Sequence, residues 1–251
     1  MAKQVGIIRL KGTIAGISFY KSSDGYLARE KGGVDKNRIN SDPAFQRTRE
    51  NGSEFGRAGK GGKLIRNSIR LLLQNASDKR VTSRLTKQMV AIIKTDATNA
   101  RGERTVIDGD MELLKGFNFN INGILSSTLF ADYTTTIDRV TGEVNLNLDA
   151  YKPINTIKVP GGTTHFRLSI GGAELDFENE AQVFAMEQTS ILPYDEVEQV
   201  ASVLTATLTP NSTLPLVGVI CIEFFQEVNG QMYPLKNGAF NALSVAEVDN
   251  L

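Results

Sequence analysis

The chain has 251 residues, of which 41% are hydrophobic and 22% charged, and its 28 basic residues balance its 28 acidic ones. This composition is ordinary for a globular protein and excludes disorder for most of the chain. The single cysteine excludes an internal disulfide, and the single histidine excludes a metal site built from several histidines.

The first segment predicts β-strands. Residues that favour strands dominate positions 5–10 and 13–20, with glycine at 12 and 16 between them. The Asp24-Gly25 pair is typical of a tight hairpin turn. We therefore expect residues 26–31 to return as the partner strand, which Gly32-Gly33 ends.

A long helix is predicted from about Pro43, because Asp42 can cap it and proline suits its first position. Glycines on its apolar face oppose helix formation by about 0.5–1 kcal/mol each. Two readings stay open: a loop between two shorter helices, or one helix whose glycines admit another backbone at close range. The apolar seam follows spacings of three and four through Phe45, Thr48, Gly52, Phe55, Gly59, Gly62, Ile65, Ile69 and Leu72.

A second helix is predicted from residue 77 or 78 to about residue 94. Leu85, Met89 and Ile92 recur on one of its faces at helical spacing. The polar, glycine-containing residues 95–104 indicate a connection. The other face of this helix carries the cations Lys79, Arg80, Arg84, Lys87 and Lys94.

From about residue 105 the hydrophobic period changes to two, which is typical of strands. Turn signals separate these strands, and Asn229-Gly230 is the clearest hairpin signal. Many short strands at this spacing predict a sandwich or barrel. The predicted strands cover residues 117–121, 128–135, 144–148, 156–159, 164–170, 182–188, 200–208, 217–228, 231–235 and 242–248.

Charge is divided between the two ends of the chain. Residues 1–105 carry 22 Lys/Arg and 9 Asp/Glu, whereas residues 106–251 carry 6 and 19, so the halves have net charges of +13 and −13. We therefore predict an α+β chain with two domains. A basic region of an N-terminal β-hairpin plus helices spans residues 1–105, and an acidic antiparallel β-sandwich spans residues 106–251. Such a division predicts that the basic half meets either an outside polyanion or the acidic half, in its own subunit or in the next.

Two sets of charged residues are the candidates for interaction. On a strand, alternate acidic residues from 174 to 180 would lie on one face, either as a solvated edge or as a docking strip for a basic surface. The cations of the long helix have the density that phosphate binding needs, but no nucleic-acid-binding motif accompanies them. The predicted interaction residues are Arg47, Arg57, Lys60, Lys63, Arg66 and Arg70 against Glu174, Asp176, Glu178 and Glu180.

The ends of the chain resemble uncharacterised Bacteroidota proteins that carry a domain of unknown function. The resemblance implies a lineage and an intracellular start, and it transfers no activity and no site residue. It rests on KGTIAGISFYK (residues 11–21), YLAREK (26–31), DPAFQRTREN (42–51), QEVNG (226–230) and YPLKNGA (233–239).

These observations favour a non-enzymatic structural protein that assembles with itself, head to tail, into a filament, tube or shell. The alternative is a nucleic-acid-binding protein that uses its basic region, and an enzyme ranks third. We predict no catalytic residue, no metal site and no cofactor, because histidine and cysteine are nearly absent.

Localisation is predicted from what the sequence lacks. No stretch reaches the 18 uninterrupted apolar residues typical of a membrane helix, and the first residues lack the apolar core of a signal peptide. We therefore expect synthesis in the cytoplasm and no membrane partner. If the protein leaves the cell, we expect it to do so as part of a particle or filament. The sequence leaves open whether that assembly is of cellular or phage origin.

Overall fold

The structure is a computed structural model that describes residues 2–30 and 32–250. It combines helices with antiparallel sheets, which confirms the predicted α+β class. By internal contacts the chain divides into two compact units, Met1–Arg49 and Glu50–Leu251. The charge division after residue 105 therefore lies inside the second unit.

The first unit is built around a four-stranded antiparallel sheet in the order β1-β4-β3-β2. Ser22 lies opposite Gly25, and Gly25 has a φ of +107°, so the hairpin predicted at Asp24-Gly25 is confirmed. The helix α1 (Lys36–Ser41) and a 3₁₀ turn (Pro43–Phe45) follow the sheet. The strands are β1 (Ala2–Lys3), β2 (Gly12–Ile14), β3 (Ile17–Ser22) and β4 (Gly25–Glu30), while Lys31, also predicted in a strand, lies outside the described residues.

The strand predicted at residues 5–10 is wrong. The Gln4 side chain closes these residues into a loop, since its Oε1 accepts a hydrogen bond from the Leu10 N–H (2.8 Å) and its Nε2 donates to the Leu10 and Leu27 carbonyls (3.3 and 3.0 Å). A run of apolar residues shows a preference for strand, but a strand also needs a partner, and β4 pairs here only with Ala2 and Lys3.

The long helix is continuous as α2 (Gln46–Ser68), so the alternative of a loop between two helices is wrong. Its predicted apolar seam is wrong in part: Phe55 is 62% exposed, and a Cβ added at Gly52 or Gly59 would meet open space. Glycine has no side chain to mark a buried face, so the spacing could not choose between adjacent faces. The buried residues of α2 are Glu54, Ala58, Gly61, Gly62, Leu64, Ile65 and Ser68.

Two further helices follow in the second unit, α3 (Arg70–Leu73) and α4 (Val81–Thr95). The apolar face predicted for the second helix is confirmed, because Leu85, Met89 and Ile92 are all fully buried. Gly62 of α2 lies close to α4, where an added Cβ would be 3.5 Å from Leu85 Cγ. At Gly61 an added Cβ would lie 2.9 Å from Met89 Cε, so the absence of a side chain there lets the two helices pack closely.

The rest of the second unit is an antiparallel β-sandwich, as predicted. One sheet has three strands in the order β10-β6-β5. The other follows the order β12-β11-β7-β8, with β13 also paired to β11 and β9 to β7. The elements are β5 (Tyr133–Asp138), β6 (Glu143–Leu148), α5 (Pro153–Thr156), β7 (His165–Asp176), β8 (Ala181–Gln188), β9 (Leu192–Pro193), β10 (Ser202–Thr207), β11 (Leu216–Val228), β12 (Gln231–Pro234) and β13 (Ala242–Asp249).

The larger sheet is the middle layer of three. Along β11, Val219 and Cys221 pack in the core shared with the helices, whereas Ile220 and Ile222 pack in the core shared with the three-stranded sheet. A sheet buried on both faces explains the nearly unbroken apolar run of this strand. Cys221 is buried in the core shared with the helices.

Most predicted strands after residue 105 are confirmed, but those at 117–121 and 156–159 are wrong, and the one at 128–135 is confirmed only from Tyr133, where β5 begins. Phe117 and Phe119 exchange backbone hydrogen bonds with Val245 and Leu243 of β13 (3.0 and 2.8 Å) without forming a regular strand. The Asn229-Gly230 hairpin is confirmed, because Val228 lies opposite Gln231 and both turn residues have positive φ.

Candidate interaction surface

The first half of α2 is bound to the loop that follows α4. Glu54 is buried, and its Oε1 accepts a hydrogen bond from the Gly102 N–H (2.8 Å) and lies 3.4 Å from Arg104 Nε. From the next turn of the helix, Arg57 Nη1 donates to the carbonyls of Gly102 (2.7 Å) and Arg104 (3.1 Å). Arg57, a predicted interaction residue, therefore holds this loop in place.

Asp96 organises the same loop. Its carboxylate accepts hydrogen bonds from the backbone N–H groups of Thr98, Asn99 and Thr105 and from the Asn99 side chain, all at 2.8–2.9 Å. Burial raises the pKa of Asp96, but these hydrogen bonds outweigh it and lower the pKa to about 2. The loop is thus built around a carboxylate that is ionised at neutral pH.

Only two of the four acidic residues predicted to share one strand face lie on a strand: Glu174 and Asp176 are in β7, whereas Glu178 and Glu180 are in the turn that follows it. Strand β7 ends at Asp176, whose Oδ1 accepts hydrogen bonds from the N–H groups of Glu178 (3.0 Å) and Asn179 (2.9 Å). The Asn179 hydrogen bonds lower the pKa of Asp176. Residues 176–180 thus form a turn between β7 and β8, which we call the acidic turn. The strand interpretation failed because an aspartate followed by turn residues bends the chain.

Glu174 lies apart from the acidic turn. It is buried in β7, where its Oε1 accepts a hydrogen bond from Ser212 Oγ (2.7 Å). Its Oε2 has no hydrogen-bond partner among the described residues. A side chain enclosed in this way is not available as part of a surface strip.

Glu180 and Lys60 bring the predicted acidic and basic sets together within one chain. Lys60 Nζ donates to Glu180 Oε1 at 2.8 Å. This hydrogen bond and the charge of Lys60 lower the pKa of Glu180, and the nearby charge of Lys63 adds to the effect. Both side chains of the pair are largely exposed, so the pair contributes little to stability.

A pocket of about 240 Å³ lies beside this ion pair. Arg57 and Lys60 supply cations to its wall, and Asp108 and Glu178 supply carboxylates, while Phe177 adds an apolar surface. Charges of both signs around a small opening suit a polar or zwitterionic group, such as a paired Lys and Glu from another surface.

The other predicted cations differ in their exposure. Lys63 and Arg70 are exposed on the second unit, Arg66 is half-buried, and Arg47 is exposed on the first unit. The cations of the second unit that form no ion pair with a described residue include Lys63, Arg66, Arg70, Lys79, Arg80, Lys87 and Lys94.

Sequence reasoning missed Glu54 and Asp96, the two buried carboxylates that shape this surface. The run Asp96-Ala97-Thr98-Asn99 has the spacing of a side-chain-capped turn and could have indicated Asp96. Nothing in the sequence marks Glu54, because its partner Gly102 lies 48 residues away.

Among residues 2–30 and 32–250, no group of three His, Cys, Asp or Glu side chains is arranged to hold a metal ion. The helices in the same part of the chain are too short or too polar to cross a membrane. Comparison of the chain with protein-family models, curated proteins and solved structures gives no match.

Proposed function

We propose that the chain is a non-enzymatic structural protein whose copies assemble head to tail into a filament, tube or shell. The proposal is supported by how little of the divided charge is neutralised within one chain. Outside the contacts of Arg47 and Glu50, Lys60–Glu180 is the one ion pair between the two halves in the described residues. The remaining ion pairs join residues of the same half.

Many carboxylates of the acidic half also lack an ion-pair partner among the described residues. Residues 168–235 carry ten acidic residues and no basic one. Several of these, including Glu178, Glu187, Glu196 and Glu198, are exposed and form no ion pair among the described residues. Opposite charges on separate surfaces attract between copies, and a contact between two different surfaces propagates from copy to copy.

Charge reversal of two α2 residues and of Arg70, the first residue of α3, gives what we call the α2 variant, which tests this proposal. The variant Lys63→Glu, Arg66→Glu and Arg70→Glu changes three cations that form no described ion pair, so we expect it to fold normally and to assemble poorly. Assembly is measured by negative-stain electron microscopy and sedimentation velocity. The matched control reverses Lys79, Arg80 and Lys87 to Glu, which changes the net charge equally but lies on and beside α4.

The two variants distinguish an effect of the α2 surface from an effect of the total net charge. Loss of assembly in the α2 variant alone supports the proposed contact. Equal loss in both variants shows that net charge matters and that the α2 contact is wrong. Assemblies unchanged in both variants remove the charge-based proposal.

Nucleic-acid binding is the second candidate function. It is favoured by the exposed cations of α2 and α4 that have no described carboxylate partner. Phosphate contacts are strongest at low salt. Fluorescence anisotropy of the full chain with labelled DNA and RNA at roughly 50 mM salt tests this function. Weakening by both triple reversals supports it, and absence of binding at this salt removes it.

A further inference from the structure

The first unit has no core of its own. No described residue among residues 2–49 is buried. A sheet of three or more strands is stable only when one of its faces is covered by apolar contacts. This unit therefore needs a partner surface to complete it.

The most exposed apolar side chains of the unit lie together in residues 5–10, which we call the arm. Val5 is 90% exposed, Ile8 is 80% exposed and Ile7 is fully exposed. The Gln4 side chain holds the base of the arm through its two hydrogen bonds with the Leu10 backbone. Adjacent exposed residues of this kind are typical of a binding segment.

Strand β8 offers an open sheet edge in the second unit. It pairs with β7 from Ser169–Gln188 to Asp176–Ala181, and no described strand is hydrogen-bonded to its outer side. Val183 on this strand is 47% exposed. An unpaired edge presents backbone N–H and C=O groups that can accept another strand.

The arm has the pattern that this edge requires. When extended, the arm places Val5 and Ile7 on one face and Ile8 and Leu10 on the other. The sheet beside β8 is apolar on both faces, since Phe184 packs in the core of the helices and Ala185 in the core of the sandwich. Strands in a sheet covered on both faces carry apolar residues on both sides.

Charge identifies the occupant as a second copy of this chain. Residues 1–23 carry four basic residues and no acidic one. The acceptor strand contains Glu187 and follows the acidic turn, within a stretch from residue 168 to 235 that has no basic residue. The arm contains Arg9 and is flanked by Lys3 and Lys11, so it is attracted to the carboxylates at this edge.

We propose that the arm of one copy adds to β8 of the next copy as an extra strand. The proposal rests on the self-assembly proposed above and gives it a second contact, distinct from the charges of α2. Pairing opens the Gln4–Leu10 hydrogen bonds and replaces them with a strand ladder. Because the donor and acceptor are different surfaces, the contact repeats along a chain of copies.

Disulfide trapping between two different variants tests this contact. Ile7→Cys protein is mixed with Val183→Cys protein under mild oxidation, with the buried native Cys221 kept. We expect a heterodimer on a non-reducing gel that neither variant gives alone. The matched control replaces Val183→Cys with Val203→Cys, which is somewhat more exposed (59% against 47%) but lies on β10.

A heterodimer with the β8 cysteine and not with the β10 cysteine supports the proposal. Equal trapping by both partners overturns it. A chain carrying both Ile7→Cys and Val183→Cys that forms only a disulfide within itself also overturns it, because the arm then folds onto its own subunit. Assembly of the wild type without specific trapping rejects the arm contact alone. A wild type that never assembles rejects the proposed function as well.

The variant Val5→Ser, Ile7→Ser and Ile8→Ser gives a second measurement. These side chains are exposed, so folding is unaffected, and we expect at least a tenfold rise in the protein concentration at which assemblies appear. An unchanged threshold overturns the proposal. A lipid surface is the other apolar partner that the arm could bind, and flotation with vesicles of phosphatidylserine and phosphatidylcholine tests for it. Binding to vesicles that depends on the arm, without disulfide trapping at Val183, assigns the arm to a lipid surface and overturns the proposed contact with β8.

Discussion

Arg167 and Glu223 form an ion pair on the helix-facing side of the central sheet. Two nitrogens of Arg167 donate to Glu223 Oε2 (2.6 and 2.9 Å), and Asn75 Nδ2 donates to Oε1 (2.9 Å). Glu223 is buried, so its charge depends on these partners. The residues join the loop after α3 to β7 and β11.

Replacing Arg167 with Ala should lower the free energy of unfolding by about 3–5 kcal/mol, because it leaves a buried carboxylate without its counter-charge. Urea unfolding measures the loss. The double variant Arg167→Met, Glu223→Leu is the control, and it should be less destabilised than the single variant. A single variant within about 0.5 kcal/mol of the wild type, the range of ordinary surface changes, would show that the pair is not needed.

Asp96 makes the stability depend on pH. Its folded pKa of about 2 lies below its ordinary value of 3.8. The ionised carboxylate therefore stabilises the folded chain fully at a pH above the ordinary pKa. This contribution is lost as the pH falls toward the pKa of the folded chain. Asp96→Asn should unfold more easily at pH 7 and should lose less stability than the wild type between pH 4 and 2. Urea unfolding at several pH values in this range checks both effects. If the free energy of unfolding changed equally with pH in the wild type and the variant, this role of Asp96 would be contradicted.

At the scale of elements, replacing glycine with alanine should have opposite effects on stability at two positions beside α4. A Cβ at Gly62 would meet Leu85 and Met89 at 3.5–3.7 Å, which is ordinary contact, whereas a Cβ at Gly109 would lie 2.4 Å from the Ile92 carbonyl oxygen. Gly62→Ala should therefore raise stability by about 0.5–1 kcal/mol through helix propensity. Gly109→Ala should lower it, and thermal unfolding of both variants measures the difference. Destabilisation by Gly62→Ala would mean that the helices are closer than described.

Sequence predicted those elements whose cause is local. The Asn229-Gly230 hairpin and the apolar face of α4 follow from neighbouring residues, and both are confirmed. The strand at residues 5–10 and the buried face of α2 depend on distant partners, so local patterns could not determine them. The candidate site shows the same limit. Its cations were identified by density, but the Lys60–Glu180 pair joins residues 120 positions apart.

At the scale of the molecule, the packing explains why the charge division persists in the folded chain. The helices of residues 50–95 use their apolar faces to cover the central sheet, which leaves their cations on the outer faces. The carboxylates cluster instead in the acidic turn and the strand and loops that follow it. Neutral overall charge thus conceals cations on the helices and carboxylates around the sandwich, and the proposed head-to-tail attraction rests on this division.

Sedimentation velocity of the wild-type chain, as a function of protein concentration and salt, tests self-assembly most directly. At roughly 50 mM salt we predict species larger than the 27.4 kDa monomer that grow with concentration, and a shift to smaller species at roughly 500 mM, where exposed charges are screened. A single monomeric species at every concentration and salt would contradict the account.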